Sequence, residues 1–244
     1  MRTTSLSLLT LLAILGCGST AFAARPRPEL QGQVIVVDAG HGGLDNGAHV
    51  QGLDEKDLVL DISRATARAL RNKGARVIES RQADDNLVPR LPKPGNLQRK
   101  NLEARVELAS RHDAGIFLSI HANKYSDPSV HGAQVFVGEH PDAERQLLGT
   151  CLNTELAALS GSRRQLDMLR DLYLMRHLKI PAALIEVGFL SNPSERNRML
   201  DPGYQQQIAQ AITRGVICFV RGRPALAQSP QAAPPRPAAG NPAS

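Results

Sequence analysis

Asp38-Ala39-Gly40-His41-Gly42-Gly43, Ser119-Ile120-His121-Ala122-Asn123 and Ile185-Glu186-Val187-Gly188-Phe189-Leu190-Ser191-Asn192 decide how this chain reads. Each follows or contains an apolar run and delivers a histidine or an acid. Val34 to Val37 leads to His41, Ile116 to Ile120 leads to His121, and Leu184 and Ile185 lead to Glu186. Short apolar runs of this kind read as buried strands. In open α/β sheets, sites collect just beyond the carboxyl ends of the strands. Residues far apart in sequence are thereby brought to one place, and two histidines with two acids suit a catalytic zinc centre.

Outward from these segments, strands and helices alternate. Residues 33–38, 75–80, 115–120 and 133–137 read as strands, 172–175 as a short strand and 182–187 as a strong one. Residues 56–73 read as a helix, because Leu58, Ile62, Ala65 and Ala69 share a face and Gly74 stops it. Residues 102–111, 142–160 and 204–220 are further helices. Ile208, Ala211, Ile212, Gly215, Val216 and Phe219 make the core face of the last. Asn192 and Pro193 begin a short helix as cap and first turn. Pro89, Pro92, Pro94 and Gly95 make residues 83–98 a loop. The pattern predicts one α/β domain over residues 32–221.

The ends read differently. Met1-Arg2, the apolar run from Leu6 to Leu15 and the small-x-small site Ala21-Phe22-Ala23 mark residues 1–24 as a signal peptide. Ile14-Leu15-Gly16-Cys17 offers the alternative of a lipoprotein anchored through Cys17. Residues 25–31 are a Pro-rich lead-in. Residues 222–244 are rich in Ala and Pro without a hydrophobic period, and read as a disordered tail. No transmembrane segment is expected in the mature chain. The formal charge of +6 suits the anionic bacterial envelope. Export, with no stacking-aromatic motif, argues against nucleic acid as a partner. Cys151 and Cys218 both fall on predicted helices; export permits a disulfide between them, but spacing does not place them within bonding range, and two buried free cysteines are the expectation.

Catalytic zinc commonly has three protein ligands, and two histidines with a glutamate form one known set. His41 and His121 are the natural first two, each among small residues that leave room for an ion. The third must come from Gly52-Leu53-Asp54-Glu55-Lys56-Asp57, at a helix start that favours acids. Spacing leaves Asp54, Glu55 and Asp57 equal. Glu186 ends an apolar run, where a carboxylate is costly without a task or partner, and is the candidate general base.

Four blocks, Asp38–Gly43, Glu55-Lys56-Asp57, Ser119–Asn123 and Ile185–Asn192, resemble in order those of the zinc-dependent N-acetylmuramoyl-L-alanine amidases, amidase type 3. The resemblance covers about residues 32–220. Ser80-Arg81 with Asp84, Leu102-x-x-Arg105-x-x-x-Ala109 and Pro181 add to it, with Ser110 where the family usually has Asn. It implies a mixed, roughly six-stranded sheet between helices, and one Zn2+ per chain held by His41, Glu55 and His121. It further implies Glu186 as catalytic acid/base and peptidoglycan as substrate, cut between N-acetylmuramic acid and L-alanine. Asp38, Asn123 and Asn192 become candidates to orient ligands or bind substrate. Gln98–Leu102, Gly132–Phe136 and Tyr173–Arg176 are similar to the spore-cortex, germination-specific branch. The short link from His121 to Gly132 leaves no room for the inserted helix that blocks the site in some division amidases, so an open site is expected. A protein activator is left open. The rival readings are a non-catalytic peptidoglycan-binding protein and a zinc peptidase of the stem peptide.

Overall fold

The computed structural model describes residues 27–88, 94–169 and 171–228. In chain order these form β1 (Val34–Ala39), β2 (His49–Val50), β3 (Leu53–Asp54), α1 (Glu55–Asn72), β4 (Arg76–Glu79), α2 (Pro94–Arg111) and β5 (Ile116–Asn123). There follow β6 (Gln134–Gly138), α3 (Ala143–Ser160), β7 (Asp167–Leu169), α4 (Tyr173–His177), β8 (Ala182–Phe189), α5 (Pro193–Met199) and α6 (Pro202–Gln228). Six strands make one sheet in the order β4-β1-β5-β8-β6-β7, and β2 pairs with β3 separately. β4, β1, β5 and β8 run parallel, whereas β6 is antiparallel to β8 and β7 parallel to β6. The expected mixed six-stranded sheet between helices is the one observed.

Side chains alternate along each strand. Ile35 and Val37, Leu118 and Ile120, and Ile185 and Val187 pack with α1, α3 and α6 in the larger core. Val36, Phe117 and Ala182 point the other way, against Ala109 of α2 and Leu174 and Met175 of α4. The central strands are therefore covered on both faces, which is why they read as nearly unbroken apolar runs.

Several expectations change. Residues 172–175 are not a strand. Tyr173–His177 is a helical turn whose Leu174 and Met175 are buried, with Tyr173 stacked on His177 four residues later. α2 begins at Pro94, inside the expected loop, because proline is tolerated in a first helical turn. α6 runs to Gln228, so 222–228 of the expected disordered tail are helical. The proposed signal peptide, Cys17 and residues 229–244 lie outside the described residues.

The cysteines are not free. Cys151 of α3 and Cys218 of α6 form a disulfide with Cα atoms 5.8 Å apart. Gly215 explains the proximity: a Cβ there would lie 2.9 Å from the Leu152 Cα, so its absence lets the two helices approach. Among the described residues, no helix is long and apolar enough to cross a membrane.

Candidate active site

The alternation that fills the core also aims the site. His121 follows Phe117 and Ser119 on the α2/α4 side of β5, and Glu186 follows Ala182 and Leu184 on the same side of β8. The parallel register makes His121 and Glu186 direct partners on adjacent strands. His41 sits in the turn after β1 with φ of 60°, a left-handed conformation uncommon outside glycine. Gly40 lets this turn lie against the His121 ring, since a Cβ there would fall 2.3 Å from the His121 Cε1.

Glu55 joins them from the start of α1, where the helix dipole favours a carboxylate. It is 5 % exposed. Its Oε1 lies 3.1 Å from His41 Nε2 and 3.0 Å from His121 Nδ1. The Ala122 N–H donates to the same oxygen at 3.1 Å, and the Ala48 N–H to Oε2 at 2.8 Å. Of the three acids left equal by spacing, Glu55 alone joins the histidines: Asp54 pairs with His49, and Asp57 is exposed. Ligand atoms of His41, Glu55 and His121 all fall within 4.8 Å of one another, a group that could hold a metal ion. Two imidazoles and one carboxylate are a borderline-soft donor set that suits zinc.

Burial by itself would raise the Glu55 carboxyl pKa, but His121 and His41 outweigh it and hold the group well below the usual range. Burial works against a charged His41, yet Asp45 and Glu55 raise its pKa to about 9. Asp45 Oδ1 is 3.0 Å from His41 Nδ1, off the line of a good hydrogen bond. Glu186 behaves oppositely. Burial is the largest influence on it and, with the Glu55 charge, outweighs the two histidines to push its pKa to about 7. Its Oε2 is buried with no hydrogen-bond partner.

A cleft of about 250 Å³ runs from His41 and His121 between α2 and α4, past Gln98, Leu102, Tyr173 and Leu184. Residues 124–133, between β5 and β6, contain no helix.

The other candidates do not belong to the metal-competent group, although Asp38 lines the same cleft. Asp38 is buried with Arg105, whose Nε donates to it at 2.7 Å, and with Ser119, whose hydroxyl donates at 2.7 Å. Asn123 Oδ1 accepts from the Lys124 N–H. Asn192 caps α5 by accepting from the Glu195 N–H, and its Nδ2 donates to the Pro128 carbonyl. The hydrogen bonds of all three thus run to supporting structure. Sequence reading overlooked Asp45 and Glu195. The buried Glu195 Oε2 accepts from the Phe189 N–H at 2.9 Å and the Gly132 N–H at 3.0 Å, tying the end of β8 to the segment before β6. Asn192-x-x-Glu195 is a capping-box spacing that could have flagged it, although the acid reaches past the cap.

Comparison with known proteins agrees with this fold. The family described as N-acetylmuramoyl-L-alanine amidase matches residues 35–218. A germination-specific N-acetylmuramoyl-L-alanine amidase of Bacillus subtilis is 38% identical over 194 residues, covering 78% of this chain and 81% of that one. The CwlD amidase of Clostridioides difficile, solved in complex with the GerS lipoprotein, superposes with a TM-score of 0.74 at 32% identity, covering 78% of this chain and 98% of that one. The amidase AmiC2 of Nostoc punctiforme gives 0.65 at 29% identity, covering 78% and 97%. With the family model matched over residues 35–218 and the fold in common, the chain belongs to the N-acetylmuramoyl-L-alanine amidase family.

Proposed function

We propose that this protein is an exported zinc amidase that hydrolyses the bond between the lactyl group of N-acetylmuramic acid and L-alanine in peptidoglycan. One observation carries the reading. The Glu55 carboxylate draws two imidazoles together, and Glu186, the strand partner of His121, presents a buried oxygen with no partner. His41, Glu55 and His121 would hold one Zn2+, which supplies Lewis-acid polarisation of the scissile carbonyl and of the attacking water.

The rest is done by the chain. Glu186 takes the proton from the attacking water and returns it to the departing alanine nitrogen. Burial, which pushes the pKa of this carboxyl up, suits it to both transfers. The cleft along α2 and α4 receives substrate beside the histidines.

Two further features support a location in the cell envelope. The Cys151–Cys218 disulfide fits an oxidising compartment, and the signal-peptide pattern of residues 1–24 fits export to one. Similarity to the Bacillus germination-specific amidase supports a cortex substrate and a role in germination. The Clostridioides amidase was solved with a lipoprotein, and a protein partner of that kind is proposed here too. The deciding experiment digests peptidoglycan with the mature chain, with and without chelator and added zinc, and reads the products by mass spectrometry. Zinc-dependent release of stem peptides beginning at L-Ala is expected. Cleavage within the stem would make it a peptidase, and zinc-loaded protein without cleavage of vegetative or cortex wall would leave a binding role.

A further inference from the structure

We propose that Arg81 is a positioning residue for the metal centre, stapling the turn that carries His41 to the helix that carries Glu55 and so setting their separation. The inference rests on the metal reading of His41, Glu55 and His121. Arg81 follows β4 and is 6 % exposed. Its Nε donates to the Ala39 carbonyl at 3.2 Å, and its Nη2 to the Gly40 carbonyl at 2.8 Å and the Lys56 carbonyl at 2.6 Å. Ala39 and Gly40 immediately precede His41, and Lys56 immediately follows Glu55. One rigid, planar fork therefore spans the two elements, a geometry that a lysine ammonium does not reproduce.

The packing is fitted to this fork. Gly42 adopts φ of +118°, and a Cβ there would lie 2.9 Å from Arg81 Cδ and Nε. His41 holds a left-handed backbone, which persists only where its surroundings impose it. Arg105 grips the same turn from α2, donating to the His41 carbonyl at 2.7 Å, but its other bonds go to Asp38 and Ala39. Lys56 Nζ reaches the Gly43 carbonyl at 2.9 Å, so the two links from α1 bracket His41.

The test measures zinc affinity of the mature chain by chelator competition, and the ligand-field spectrum of its cobalt form, in Arg81→Lys, Arg81→Met and Arg71→Met. Arg71 is a control at the far end of α1, where it donates to the Val77 carbonyl and to Glu79. The Arg81 variants are expected to lose zinc affinity about 10- to 100-fold and to shift the cobalt bands. Arg71→Met should alter thermal stability while binding zinc within about twofold of wild type. If Arg81→Met does not fold, Arg81→Lys decides. Wild-type affinity in Arg81→Lys, or an equal loss in Arg71→Met, would overturn the proposal. Failure of the wild type to bind zinc would instead overturn the metal reading beneath it.

Discussion

Gly40→Ala is the sharpest probe of the site, because its effect can be worked out atom by atom. Gly40 has no positive φ, so alanine suits its backbone and any cost is steric. The new methyl would sit 2.3 Å from His121 Cε1 and 2.6 Å from both ring nitrogens. Carbon–carbon contact begins near 3.5 Å, so the ring must retreat by about 1 Å. Without metal the retreat breaks only the 3.0 Å contact between His121 and Glu55, because the His121 side chain is 18% exposed rather than fully enclosed. With metal the same motion breaks the group formed with Glu55 and His41. Disturbing the support of a metal ligand costs up to about 100-fold in metal affinity. A 100-fold weaker zinc affinity removes about 2.7 kcal/mol of zinc-linked stabilisation. Apo Gly40→Ala should therefore melt below the apo wild type by the loss of the His121–Glu55 pair, and its gain in Tm on adding zinc should be much smaller still. Thermal unfolding across a zinc titration, paired with chelator competition, reads both quantities. Wild-type zinc affinity in Gly40→Ala would refute the reasoning, since His121 would then not be held where the metal needs it.

Other consequences can be checked alongside. Glu186→Gln should retain zinc by metal analysis and lose about 10²- to 10⁴-fold in turnover of peptidoglycan; unaltered turnover would remove Glu186 from the mechanism. Asp38→Asn leaves the Arg105 charge buried without its partner and should cost about 3–5 kcal/mol in urea unfolding. Burial opposes ionisation of Asp38, but Arg105, Ser80 and Ser119 outweigh it and lower its pKa below the usual carboxylate value. The stability this supplies is full above the unfolded pKa of about 4 and is lost as pH falls through the lower folded pKa. That acid-side contribution should be missing from Asp38→Asn. Reducing the disulfide opens a 67-residue connection and should destabilise the fold by up to about 4 kcal/mol, measured by calorimetry with and without reductant.

Much of this protein was legible before any coordinates. The strand runs before His41, His121 and Glu186 and the helix face of Leu58, Ile62 and Ala65 are local patterns, because burial on one or two faces imposes a period. Order along the chain then placed two histidines and Glu186 at strand ends. Resemblance singled out Glu55, which spacing alone could not separate from Asp54 and Asp57. The short segment at Tyr173 was misread because five residues can serve either as a strand or as a helical turn, and only packing of Leu174 and Met175 against the sheet chooses.

Sequence by itself thus determined the α/β class, the strands that carry the site and the residue types able to hold a metal, since these follow from local periodicity and chain order. Tertiary structure decided what depends on distance between segments far apart in the chain. It brought Glu55 Oε1 to both imidazoles, joined Cys151 to Cys218 through the close approach at Gly215, and laid Arg81 across two ligand-bearing elements. The physical reason is that hydrogen bonds and disulfides form only within a few ångströms, and no local pattern encodes a separation that the packed sheet and helices set.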